Sequence, residues 1–232
     1  MPNTRPTHLT QEEKEKILTQ LLTFVSANKQ ERFSRHIAHR TRHITVVLED
    51  IFQPHNASAV LRSCDCFGIQ EVHIIENENT FEVNPDVALG AAKWLNVEKH
   101  NRHPHNTVPC LSALKKRGYL LIATSPHTNE FTPESIPLDQ PIALLFGTEL
   151  TGLSEEASAM ADMYVRIPMV GFTESLNISV SAAILLYTLT TRLHRSGIHW
   201  ALSPEEKTTV LIQWASAVIR KPNLIIRKLI DQ

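Results

Sequence analysis

Residues 144–154 read Leu144-Leu145-Phe146-Gly147-Thr148-Glu149-Leu150-Thr151-Gly152-Leu153-Ser154. The three apolar residues close a short run that begins at Ile142 and has no polar interruption, as a strand covered on both faces requires. Two glycines then bracket a loop holding Glu149. Ser154 is a suitable N-cap for a helix whose first turn carries Glu155 and Glu156, favourable for the helix dipole. A buried strand that runs through a tight loop into a capped helix is the repeating unit of a parallel sheet.

The same unit recurs on both sides. Apolar runs at Ile44–Leu48, Val72–Ile75, Tyr119–Ala123 and Tyr164–Ile167 predict further strands. Helical spacing predicts helices over Asn56–Phe67, Thr107–Arg117 and Ile178–His194. The expected fold class is therefore α/β, a parallel sheet sandwiched by helices. Outside it, Thr10 with Glu13 spells a capping box for a helix to about Asn28, and a basic stretch follows from Lys29 to His43. Ser203-Pro204-Glu205 opens a last helix, with proline at its first position. The expected organisation is a helical N-terminal extension (1–43), a core (44–197) and a helical C-terminal extension (198–232).

The 232 residues carry 23 Lys and Arg against 24 Asp and Glu, a net charge of -1, which argues against a protein that coats nucleic acid by bulk charge. The balance hides an uneven distribution. Lys29, Arg32, Arg35, Arg40 and Arg42 face one acid, Glu31, for a local +4. Arg220, Lys221, Arg227 and Lys228 face only Asp231, for +3. Seven acids between Ala123 and Asp162 meet no Lys or Arg. The basic stretches are either solvated helix faces or phosphate contacts.

No apolar run of about 18 residues is present, so no membrane-spanning helix is expected. The first 28 residues lack the order of a secretory signal. Cys64, Cys66 and Cys110 are an odd set, which suggests reduced thiols and a cytoplasmic location. Cys64-x-Cys66 is too close for the usual zinc pair, and His103-x-His105 lies among Pro and Asn of a predicted loop, so no metal is expected. Neither G-x-G-x-x-G nor a P-loop occurs.

Three loops at strand ends are candidates for chemistry. The first is Asn56-Ala57-Ser58-Ala59-Val60-Leu61-Arg62, where Asn56 can cap a helix and Arg62 either pairs with Asp65 or meets a ligand. The second is the loop at Gly147 to Ser154. The third is Ile167-Pro168-Met169-Val170-Gly171-Phe172-Thr173-Glu174-Ser175-Leu176-Asn177-Ile178-Ser179, in which Ser175 and Asn177 can cap the long helix.

Taken in this order, Asn-x5-Arg, F-G-T-E-x-x-G-L-S and I-P-M-x-G-x-x-x-S-L-N-x-S resemble the three signature motifs of the SPOUT-class (SpoU/TrmH family) RNA 2'-O-ribose methyltransferases. N-A-S-A-V-L-R-S-C-D-C-F-G at 56–68 and G-A-A-K-W at 90–94 extend the likeness toward the TrmH type, which methylates guanosine 18 in the tRNA D-loop. The resemblance covers roughly Ile44 to Leu193. It implies a deep C-terminal trefoil knot, a homodimer with an active site built from both chains, and S-adenosylmethionine bound in the knot by Thr124, Gly147, Ile167, Met169 and Leu176. It places Arg62 at the ribose hydroxyl, as base or as a clamp on phosphate and hydroxyl, oriented by Asn56. Glu149, Ser175 and Asn177 would organise the site, and Arg32, Arg35, Arg40, Arg42 and His55 would bind RNA. Two other functions stay open: methylation of ribosomal RNA or of another tRNA position, and RNA binding without turnover.

Overall fold

The computed structural model describes residues 9–82, 84–125, 130–148 and 151–230. Thr10 accepts from the Glu13 N–H while Glu13 accepts from the Thr10 N–H, and this capping box starts α1 (Gln11–Leu22). In chain order follow α2 (Ala27–Ile37), β1 (Ile44–Glu49), α3 (Pro54–Cys66), β2 (Glu71–Ile75), α4 (Pro85–Ala88) and β3 (Asn96–His100). The second half holds α5 (Thr107–Lys116), β4 (Leu120–Thr124), β5 (Ile142–Phe146), α6 (Glu155–Met160), β6 (Met163–Val165), α7 (Ile178–Arg195), α8 (Pro204–Val218) and α9 (Pro222–Ile230). The chain divides into two compact units, one formed by its two ends, up to Arg40 and from Ala201 on, and one spanning Thr41–Trp200.

In the unit formed by the chain ends, α8 opens with a second capping box, Ser203 with Glu206, and Pro204 in the first turn. Lys14 pairs with Glu205 at 2.8 Å, and the Gln11 amide donates to the Thr208 hydroxyl at 3.2 Å. Trp214 is buried with its ring centroid 5.6 Å from that of Phe33 on α2. Where one last helix was expected to open at Ser203, two form. Ile219 already leaves helical geometry at φ −94° and ψ 139°, Lys221 takes φ +58°, and Pro222 begins α9, where its fixed φ suits a first turn.

The Thr41–Trp200 unit carries six parallel strands in the order β3-β2-β1-β5-β4-β6. Their residues alternate between two apolar layers. Ile44, Val46 and Leu48 of β1, with Ile142, Leu144 and Phe146 of β5, face α3 and α7. Val47, Ala143 and Leu145 face α5 and α6. Both faces are apolar because both are covered, which is why these strands read as continuous apolar runs. β3 escapes that signal. Its sequence, Asn96-Val97-Glu98-Lys99-His100, is mostly polar, and it is an edge strand recruited by backbone pairing with β2.

Glu49 ends β1 and is buried. Its Oε1 accepts from the Thr107 hydroxyl at 2.6 Å and the Ser154 hydroxyl at 2.7 Å, and its Oε2 from the Ser154 N–H at 2.9 Å. One carboxylate thus ties the end of β1 to the first residue of α5 and the cap of α6. Glu49→Ala leaves three donors without acceptors. An unfolding titration is expected to show a loss on the order of 3 kcal/mol; a change below about 0.5 kcal/mol, the range of ordinary surface substitutions, contradicts the anchoring role.

Candidate active site

At the end of β5 the chain folds back tightly. The Thr148 N–H donates to the Gly152 carbonyl at 2.9 Å and the Gly152 N–H returns to the Thr148 carbonyl at 3.1 Å. The Thr148 hydroxyl also accepts from the Thr151 N–H at 3.0 Å. A Cβ at Gly147 would sit far inside van der Waals contact with the Gly152 carbonyl group and the Leu153 nitrogen, so the position admits only glycine. Gly152 has φ +73°. Glu149, a candidate for organising the site, lies outside the described residues, as does Leu150.

The loop between β6 and α7 is apolar yet mostly exposed, with Val170 and Phe172 fully in solvent. It ends where Asn177 caps α7, its Oδ1 accepting from the Ser179 N–H at 2.8 Å and the Ser179 hydroxyl at 2.6 Å. The same side chain reaches across the fold, where its Nδ2 donates to Asn56 Oδ1 at 3.1 Å. Asn56 is buried and does not cap α3. Pro54 suits the first turn of a helix, so α3 starts earlier, with Gln53 at the cap, and Asn56 is freed to hold Gln53 and Asn177. The first and third candidate loops are therefore joined side chain to side chain.

A cavity of about 690 Å³ opens at the C-terminal ends of β4, β5 and β6, a size usual for small-molecule sites. It gathers Thr124, Gly147, Ile167, Met169 and Leu176, together with Ser175 and Asn177. The Thr124 hydroxyl donates to the Leu145 carbonyl at 2.8 Å, fixing its rotamer at the rim. Phe146, Val165, Ser181 and Leu185 also line the cavity and were missed by sequence reading. Ser181 and Leu185 lie four residues apart on α7, a spacing that was there to be used, but nothing local says which side of a helix faces a cavity.

Arg62 is exposed on α3, and His55 shares its face two turns earlier. Arg62 is not among the residues that line the cavity of its own chain. The basic stretch around α2 separates into different environments. Arg32 and Arg35 are exposed. Arg40 is 5% exposed, with its guanidinium carbon 5.2 Å from the Trp214 ring centroid, so it is turned away from any phosphate in solution. Arg42 is half-buried, its Nε 3.2 Å from a Glu71 carboxylate oxygen. Burial opposes the charge on Glu71, but the hydrogen bond from His73 and the Arg117 guanidinium outweigh it and hold that carboxyl at about 2.

Comparison with known proteins gives a consistent set. The model of the SpoU rRNA Methylase family matches residues 43–187. A protein of Borreliella burgdorferi named tRNA (guanosine(18)-2'-O)-methyltransferase is 40% identical over 205 residues, 88% of this chain and 92% of that one. A Thermus thermophilus protein of the same name is 32% identical over 80% of this chain and 95% of its own length. The crystal structure of the A. aeolicus TrmH/SpoU tRNA modifying enzyme superposes with a TM-score of 0.74 at 29% identity, covering 83% of this chain and 98% of that one.

Proposed function

The chain belongs to the SpoU rRNA methylase family, and from that premise we propose that it transfers a methyl group from S-adenosylmethionine to the ribose 2'-hydroxyl of guanosine 18 in the tRNA D-loop. One observation carries this reading: the cavity at the ends of β4, β5 and β6 unites the second and third motif loops, and Asn177 binds Asn56 of the first. The names of the Borreliella and Thermus relatives support the choice of substrate.

The cavity suits S-adenosylmethionine. Phe146, Val165, Ile167, Met169, Leu176 and Leu185 offer apolar walls for a base and an aliphatic chain, and Thr124 and Thr148 offer polar atoms at the rim. When bound, the cofactor supplies an electrophilic methyl group on a sulfonium centre. The apolar walls exclude water, a competing acceptor. Arg62 grips an RNA phosphate and the attacking ribose hydroxyl through its planar fork and holds them in attack geometry. A guanidinium keeps its own proton, so the hydroxyl proton passes to a phosphate oxygen or to solvent. Asn56 and Asn177 position α3 against the rim, and Glu149 and Ser175 complete the site.

The working form is a homodimer in the cytoplasm. Val180, Ile184 and Tyr187 are 45%, 36% and 61% exposed and recur on one face of α7, beside Phe67, whose ring lies 6.0 Å from that of Tyr187. Such an apolar stripe beside a site calls for a partner, and a second copy would bring an Arg62 toward each cavity. The strand order β5-β4-β6 and the return of α7 onto the layer that holds α3 support a deep trefoil knot in this region. The ends of the chain, 1–43 and 198–232, act as extensions that contact RNA, and the 44–197 core carries the methyl transfer. Arg32 and Arg35 on α2 and His55 on α3 are the exposed contacts, while Arg40 and Arg42 act through their burial partners. Among the described residues, no helix is long and apolar enough to cross a membrane.

Incubating the purified chain with unfractionated RNA and labelled S-adenosylmethionine tests the proposal. Label is expected in tRNA, at the ribose of guanosine 18. Label in ribosomal RNA alone removes the tRNA substrate, and no label in any RNA leaves a binding protein.

A further inference from the structure

Parallel pairing of β2 with β3 sets His73 opposite Glu98 and Ile75 opposite His100. Side chains alternate across a strand, so His73 and His100 lie on the same face, one diagonal apart. That face is the layer under α5, where Cys110 is buried in the first turn. Cys110 Sγ and one ring nitrogen from each of His73 and His100 consequently lie within 4.8 Å of one another. His73 Nδ1 and His100 Nε2 are 3.0 Å apart, and a Glu98 carboxylate oxygen is 3.5 Å from His73 Nδ1. On its other side, His73 Nε2 is 2.9 Å from Glu71 Oε1, and Glu71 is anchored by Arg117 at 2.6 Å.

We propose that His73, His100 and Cys110 bind a zinc-like divalent cation, with Glu98 or water as fourth ligand. Two imidazoles and a thiol converging from three elements match the donor set and count that zinc takes. Glu71 supplies the orienting partner such sites use: by accepting the Nε2 hydrogen it turns the Nδ1 lone pair of His73 into the cluster. A hydrogen bond between two histidines accounts for the ring pair alone; it leaves the buried thiol beside them without a role. On binding, the Cys110 proton leaves to solvent, and His100 gives up the Nε2 proton that it donates to His73 Nδ1 in the metal-free form and takes one from solvent on Nδ1, so that Nε2 faces the metal. The site lies at the β3 edge, whereas the cavity lies at the ends of β4, β5 and β6, so its effect is structural. It pins a polar edge strand that has little apolar burial to hold it. The inference stands independently of the methyltransferase reading.

The full chain, stripped with a chelator and titrated with Co²⁺ and then Zn²⁺, tests it. One Co²⁺ per chain is expected, with a thiolate-to-cobalt charge-transfer absorption that one equivalent of Zn²⁺ removes. Cys110→Ser should abolish that absorption, and Cys64→Ser should leave it. Losing an outer partner alone costs about 10–100-fold in metal affinity, so His100→Gln, at a half-buried position, should cost at least that. Absence of stoichiometric binding, absorption that survives in Cys110→Ser, or unchanged affinity in His100→Gln overturns the site.

Discussion

Replacing Arg62 with alanine is expected to abolish methyl transfer while leaving the affinity for S-adenosylmethionine nearly unchanged. The separation follows from where the residue sits. Arg62 is exposed on α3 and does not line the cavity, which is built from the ends of β4, β5 and β6 and the start of α7. Its removal takes away a charged fork that acts on RNA and on the attacking hydroxyl, and leaves the apolar walls intact. Loss of one donor aimed at developing charge typically costs about 10²–10³-fold in rate, and a residue that also positions the nucleophile should cost at least this. Turnover on a tRNA transcript and calorimetric titration of the cofactor measure the two quantities. Arg62→Lys keeps the charge but not the bidentate geometry, and should recover only a small part of the rate. If Arg62→Ala lowers cofactor affinity as much as turnover, the residue is a structural support for the cavity and the catalytic assignment fails.

Gly147→Ala should be far more damaging than the same change at Gly152. The new Cβ would collide with the backbone of Gly152 and Leu153, which cannot swing aside as a side chain would. To admit it, the reciprocal hydrogen bonds between Thr148 and Gly152 must open. Overpacking costs about 1–3 kcal/mol and each lost hydrogen bond about 1 kcal/mol. For a chain of this size, about 3 kcal/mol corresponds to a fall in Tm of roughly 6–12 °C. Because the loop lines the cavity, cofactor affinity should fall with it, by on the order of tenfold or more. Gly152→Ala is the control. Its φ of +73° penalises a side chain by about 1–2 kcal/mol, but nothing lies within 4 Å of the added atom. A thermal melt in which Gly147→Ala is no worse than Gly152→Ala contradicts the close approach.

Much of the site was legible because its parts are local. The glycine loop, the serine cap of α6 and the asparagine cap of α7 are each written within a few residues, and a cap needs only its own helix. The five residues assigned to the cofactor fall on one cavity because Thr124, Gly147, Ile167 and Met169 lie at or just beyond strand ends, which share one edge in a parallel sheet, and Leu176 leads into α7, whose first turns line the same cavity. Asn56 shows the limit. Its type suggested a cap, yet the helix starts earlier at Pro54, and the side chain instead bridges to Asn177. Arg40 shows another. In sequence it belongs to a basic stretch, and only Trp214, far along the chain, turns it inward.

Five of the six strands and most helices are written in neighbouring residues, since period and capping are local properties, and so are the loops at which strands end. The tertiary structure alone decided which of those residues meet. It recruited β3, whose polar side chains carry no strand signal, by backbone pairing at the sheet edge. That pairing, with α5 laid over it, is what brings His73, His100 and Cys110 to one point. Contacts between distant segments depend on register and on helix docking, and these are set by the summed burial of two apolar layers rather than by any short stretch of chain.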